Sequence, residues 1–461
     1  MALSNVGGIG GGGVAIPLVM AFFAFKTKPA IAISSFSIFV CTAARFLFNY
    51  NEKHPEKPKA TVIDYSLTTI MMPTTLAGSQ VGAIILITFP SLYIQIMLTL
   101  MLAFLAVQST FKAIEITKKE NAAAKAKNSV SDAAAAPGAT QEDIVGNANP
   151  GPNSHRDDAV EEDKVNPVIP EGKTESESAP PKNAEVVDVK DGKKDVITIQ
   201  GEHTFDLGES TEKDAELKSL KRIVEQENGH GQWIKQCVNL ALLITLIVMN
   251  LLIGSKSSPS IVGIPKCSWM YWIIQLIFIG LCVVLTYRST KENRYEQGLK
   301  IKYGSINVVD SDIRYEGKTL WQVLALGFVG GWVAGALGLG GGAVFNPALL
   351  AMGVPPKVSS ATGLYLVTFS KIAACFIYFL AGVMDIPYGL WIGLWSTAGS
   401  ILGLWGTQIY MKKSGRQSII VWVLVFMFVV SVIAIPIFGG QSLKREHDEG
   451  KDIFAFKDMC T

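Results

Sequence analysis

The chain has 461 residues, with 41 Lys+Arg against 39 Asp+Glu, 49% hydrophobic and 17% charged residues, a net charge of +2 and a mean hydropathy of +0.32. Soluble domains carry about 25% charged residues, and the total hides a split: residues 115–230 hold 25 acidic and 15 basic residues, a net of −10, leaving 14 acidic and 26 basic elsewhere, a net of +12. So few carboxylates disfavour an ordinary globular enzyme or a nucleic-acid binder and favour an integral membrane protein with one large hydrophilic insert.

A membrane-crossing helix needs about 20 mostly apolar residues, and ten segments qualify. Four precede the insert, at about 3–25, 29–50, 62–88 and 91–114. The first is no cleavable signal peptide, because it lacks a basic start and places a glycine run where the apolar stretch should be. Residues 120–210 are rich in Ala, Pro, Glu, Lys, Ser and Asn, a composition that predicts disorder, with a short β-prone stretch at 196–199. Leu217, Leu220 and Val224 share one face of an amphipathic helix ending near Gly229. Two further spans follow at 234–254 and 269–287, then a polar connector at 288–318. The last four lie at about 319–353, 357–383, 388–410 and 418–439, before a charged tail. The spans do not alternate, so they predict helices and not a β-barrel.

The six Cys lack metal-ligand spacing, and no disulfide framework, metal or cofactor is expected. No nucleophile–base pair is visible and every His lies outside the apolar spans, so an enzyme is not expected. The Lys/Arg bias of the loops places the insert and the tail in the cytoplasm.

An internal repeat stands out. Gly8–Gly12 followed by Pro17 matches Gly338–Gly342 followed by Pro347, at an offset of 330. Ser34 and Ser35 match Thr362 and Gly363 at 328, and Asp64, Gly78, Ser79 and Gly82 match Asp385, Gly399, Ser400 and Gly403 at 321. The repeats are roughly 1–114 and 319–439, separated by the insert 115–230 and by two extra helices within 231–318; residues 440–461 form the tail. In the second half an apolar stretch, 320–337, precedes the glycines. Only seven residues do so in the first half, which reads as a truncated first helix.

Gly-x-Gly-Gly-Gly inside an apolar segment breaks a helix, since each Gly costs about 1 kcal/mol relative to Ala. Such a break frees backbone N–H groups near the bilayer midplane, and matched breaks in two repeats mark transporter substrate sites. Close helix packing is the alternative for glycines spaced by four, as in Gly78/Gly82, Gly331/Gly335 and Gly399/Gly403. Lys371 stands mid-span, where a charge costs at least about 2.5–3.5 kcal/mol and marks either an anion pathway or a carboxylate pair. Arg45 reads as a side chain snorkelling to the interface. The hydroxyls of Ser34, Ser35, Thr362, Ser79 and Ser400 either face an oxyanion or bond back to their own helices. Asn346 has only Ile16 as its counterpart, so any site it joins is asymmetric. Asp64 and Asp385 read as helix caps, with proton coupling the lesser reading.

These paired motifs, each followed by a Ser/Thr-bearing helix, then Asp and Gly-Ser-x-x-Gly, resemble the sulfite exporter TauE/SafE family, with the extended middle of eukaryotic members. The resemblance implies an all-α permease of two four-helix halves with Gly-broken first helices, moving sulfite or a related sulfur-containing or organic anion. It implies a site lined by Gly10, Gly11, Gly12, Pro17, Ser34, Gly340, Gly341, Gly342, Pro347 and Thr362, to which the residue reading adds Asn346 and Lys371. The expected partners are the lipid bilayer, a small anion and a coupling proton or cation, with the insert a candidate for protein partners. The rival reading is a non-transporting scaffold or receptor acting through that insert.

Overall fold

The structure is a computed structural model that describes residues 12–57, 60–134, 210–228, 232–255, 257–265, 268–304, 309, 312–414, 418–450 and 454. It divides into two units, one of residues 1–123 and 203–461 and one of residues 124–202.

The described residues form helices throughout, in the order α1 (Gly12–Phe23), α2 (Thr27–Asn49), α3 (Tyr65–Thr88), α4 (Ser91–Ala134), α5 (Ser210–Glu227), α6 (Trp233–Ile253), α7 (Trp269–Lys302), α8 (Gly317–Leu337), α9 (Gly342–Ala351), α10 (Pro356–Leu380), α11 (Ile386–Ser414) and α12 (Ser418–Asp448). Eight of these are long and apolar enough to cross a membrane: α2, α3, α4, α6, α7, α8, α10 and α12. Helix α11, expected as a span, has 29 residues but does not join them, because Gly, Ser, Thr and Lys dilute its apolar content. Helix α9, at 10 residues, reaches only about 15 Å at 1.5 Å per residue, half a bilayer core, and α1 is described over 12 residues from Gly12, where the described residues begin.

The segment expected at 319–353 is therefore two helices with a break at 338–341. Gly338 ends α8 at φ +65°, a left-handed conformation that glycine adopts without steric cost. Both helices carry an internal proline, Pro17 in α1 and Pro347 in α9. Residues 1–11, and with them the leading half of the first glycine motif, lie outside the described residues.

Two expectations are corrected by continued helices. The connector expected from 288 is helical to Lys302, because residues 288–297 contain no Gly or Pro to stop α7. Likewise α4 runs on to Ala134, into the stretch expected to be disordered, where Ala and Lys favour helix. The rest of that stretch, including 196–199, is outside the described residues. The amphipathic helix expected before Gly229 is α5, with Leu220 buried.

Helices α3 and α8 are the most intimately packed pair. Glycines permit this: a Cβ on Gly82 would lie 2.5 Å from the Trp332 carbonyl oxygen and 2.6 Å from the Ala336 nitrogen, and one on Gly331 would strike the Thr75 carbonyl. Packing is thus the role of Gly78, Gly82, Gly331 and Gly335. Helix α10 packs on α2, α3 and α8, and α11 on α2, so the two halves interleave. The extra helix α6 docks on α3 through a reciprocal amide pair of Gln80 and Asn250, both bonds at 3.1 Å. Trp272, Trp395 and Phe426 are more than half exposed, as side chains facing lipid should be.

Candidate functional site

Lys371 is fully buried in the middle of α10. Its ammonium donates to the Ala334 carbonyl oxygen at 2.8 Å and to Ser35 Oγ at 3.2 Å. Ala334 lies in the last turn of α8, whose final carbonyls have no intrahelical partner and carry partial negative charge. The Tyr378 hydroxyl donates to the next carbonyl, that of Gly335. Lysine and tyrosine, seven residues apart on one face of α10, together cap the broken end of α8. The carboxylate pairing expected as one option for Lys371 is not what the fold provides.

The break sits against the first half. A Cβ on Gly338 would lie 2.7 Å from Ile31 Cγ2 and 3.3 Å from Ser35 Oγ. A Cβ on Gly12 would lie 2.6 Å from the Gly338 carbonyl oxygen and 3.1 Å from Leu339 Cα. Gly12 in α1 and the end of α8 therefore touch, and Ser35, with Lys371 bonded to it, stands beside Gly338. The ammonium has three N–H donors, of which Ala334 and Ser35 take two.

A second cluster lies nearer the start of α10. Thr362 Oγ1 accepts the backbone N–H of Asp64 at 3.1 Å. The Asn346 carbonyl accepts from Ser359 Oγ at 3.2 Å, and its side-chain Oδ1 abuts Gly363. Thr362 and Lys371 are nine residues apart, about 13.5 Å along the helix axis. The expected site residues thus form two stations. Gly12 and Lys371 both lie against the broken end of α8, Asn346 and Thr362 lie near the start of α10, and Gly340–Gly342 and Pro347 belong to the loop and helix between α8 and α10. Gly10 and Gly11 lie outside the described residues.

Several local expectations changed. The N–H groups of Ala343, Val344 and Phe345 at the start of α9 are bonded at 2.9 Å to the carbonyls of Gly340 and Gly341, so those donors are not free for an anion. Ser34 is fully buried and its hydroxyl has no partner among the described residues; its neighbour Ser35 is the one that meets Lys371. Ser79 donates across to the Ser370 carbonyl at 3.0 Å, and Ser400 bonds back to Ser396 at 2.7 Å while also meeting Cys41 Sγ of α2 at 3.0 Å. Arg45 is 6% exposed, covered by its neighbours and not extended along the surface. Asp64 and Asp385 cap their helices, accepting from Leu67 N–H at 3.0 Å and Tyr388 N–H at 3.3 Å. The sequence reading missed Tyr378, although its seven-residue spacing from Lys371 was the available signal.

Eight apolar helices, one of them interrupted and capped by a buried lysine, define a polytopic membrane protein of the transporter class. The family model described as Sulfite exporter TauE/SafE matches residues 2–140 and 229–434, and the chain belongs to that family. It is 24% identical over 441 residues to Sulfite exporter TauE/SafE family protein 3 of Arabidopsis thaliana, covering 94% of this chain and 75% of that protein. It is 24% identical over 460 residues to family protein 5 of the same plant, covering 99% and 84%. Over 118 residues it is 27% identical to the Probable membrane transporter protein YunE of Bacillus subtilis (strain 168), covering 24% and 42%. No solved structure matches the chain significantly.

Proposed function

We propose that this protein is a secondary transporter of a small sulfur-containing or organic anion, sulfite foremost, working by alternating access between its two halves. One observation carries the reading: the buried ammonium of Lys371 at the broken end of α8, with one donor beyond those given to Ala334 and Ser35. A buried cation beside a gap in a helix attracts an oxyanion electrostatically and can donate to it. The names of the relatives support sulfite as the first substrate to try. Alternating access is supported by the polar ties that cross between the halves at the site, Ser35 to Lys371, Ser79 to Ser370 and Asp64 to Thr362.

The test is radiolabelled sulfite flux in proteoliposomes, corrected for protein-free vesicles. Wild type should transport, and Lys371→Met and Gly12→Leu should each lower flux at least tenfold while the protein remains monodisperse. Flux unchanged in both variants would overturn the site, and no flux of sulfite or of related anions in wild type would overturn the function.

A further inference from the structure

A cavity of about 130 Å³ opens beside the start of α3. At roughly 10–15 Å³ per water it has room for several. Four carboxylates line it: Asp64, Glu227, Glu296 and Asp312. Three are held by lysines. Lys57 donates to both oxygens of Asp312 at 2.7 Å, Lys235 to Glu296 at 2.7 Å, and Lys300 to Glu227. Among the described residues Asp64 has no such partner; its Oδ1 accepts only the Leu67 N–H. Gln232 also lines the cavity, 9% exposed, and its Oε1 has no partner among the described residues.

We propose that Asp64 is the proton-coupling group of this transporter, taking up a proton from cavity water and carrying it across in the cycle that moves the anion. The proposal rests on the transporter reading above. A hydronium ion in the cavity gives its proton to a carboxylate oxygen of Asp64, leaving water and a neutral carboxyl; on the other side of the membrane the carboxyl returns the proton to water. Facing Asp64 are His54 and Lys57 from its own segment, Lys235 from α6, Asp312 and Tyr315 from the approach to α8, and the neutral Thr362 from α10. Glu227 of α5 and Glu296 of α7 complete the wall. The three lysines make the cavity a poor host for a metal cation, and their carboxylates are already engaged. Burial pushes the Asp64 carboxyl above the usual carboxylate range, against the opposing pull of the Leu67 N–H and Lys57. It therefore binds a proton closer to neutral pH than an exposed aspartate does. The Asp64 N–H also holds Thr362, on the helix that carries Lys371, so a change at Asp64 reaches the anion station through one element.

Asp64→Asn is the informative variant, because Asn caps a helix as well as Asp but cannot take up the proton. Two modes are measured in proteoliposomes with sulfite: accumulation driven by a pH gradient, and exchange of labelled for unlabelled sulfite at equal pH. Wild type should do both. Asp64→Asn should keep exchange within about threefold and lose gradient-driven accumulation at least tenfold. Accumulation by Asp64→Asn equal to wild type overturns the proposal, as does wild-type accumulation driven by sodium and not by pH. An entrapped pH dye gives a readout independent of the variant: a sulfite gradient applied to wild type must move protons above the protein-free background, and no movement overturns the proposal. Wild-type exchange without proton movement sinks this inference alone, whereas absence of exchange sinks the transporter reading.

Discussion

Lys371 donates its ammonium proton to the carbonyl of Ala334, in the last turn of the interrupted helix α8, at 2.8 Å. This contact explains how a charge is tolerated at that depth. The helix end carries about half a negative charge, and the lysine sits on it. The same residue therefore caps the break in α8.

Removing the charge should separate these roles. Lys371→Met should abolish anion flux, and Tyr378→Phe, which leaves the charge and removes only the hydroxyl on Gly335, should lower flux by less than tenfold. Flux assays on the two variants side by side check the order of severity. Equal loss in both would mean that capping of α8, and not charge, governs transport.

The glycine seam between α3 and α8 should tolerate no added carbon. Gly82→Ala places a methyl against the backbone of Trp332 and Ala336 and should cost about 1–3 kcal/mol, the range for overpacking. Gly280→Ala, in α7 with nothing within 4 Å of the added Cβ, should cost nothing. Thermal unfolding in detergent reads both.

The Gln80–Asn250 pair ties the extra helix α6 to the repeat helix α3. Gln80→Leu, Asn250→Leu and the double variant should give a coupling energy of about 1 kcal/mol, the order found for hydrogen bonds between membrane helices. A coupling energy near zero would show that apolar packing alone docks α6.

His54 should make the segment before α3 sensitive to pH. Its Nδ1 accepts the N–H groups of Glu56 and Lys57 at 3.1 and 3.2 Å, which requires the neutral ring. Burial first, and then Lys57, lower its pKa below the ordinary value. The unfolded segment then binds more protons than the folded one between that lowered value and about 6.5. The stabilisation is present above about pH 6.5 and is lost as pH falls through that window. Amide exchange of residues 52–57 and 60–64, corrected for intrinsic rates, should quicken at about pH 5 relative to about pH 7.5 in wild type. In His54→Ala that quickening at about pH 5 should disappear, leaving only the opposite contribution of Asp64, whose raised pKa favours the folded segment as pH falls.

Hydropathy by itself determined the membrane class, eight of the spans and the break after Leu337, because lipid forces each span into a self-satisfied helix and three consecutive glycines cannot hold one. The helix caps of Asp64 and Asp385 were also legible, since a cap depends on residues only three positions away. The lengths of α4 and α7 were not, because a helix can continue beyond its apolar stretch wherever no breaker stops it. Partners distant in the chain were decided by the tertiary structure alone. It gave Lys371 a helix end in place of a carboxylate and chose Ser35 over Ser34. It also left Asp64 as the one cavity carboxylate without a lysine among the described residues. A sequence states which charges and hydroxyls a chain owns; which of them neutralise one another depends on contacts between residues hundreds of positions apart, and only the packed fold sets those.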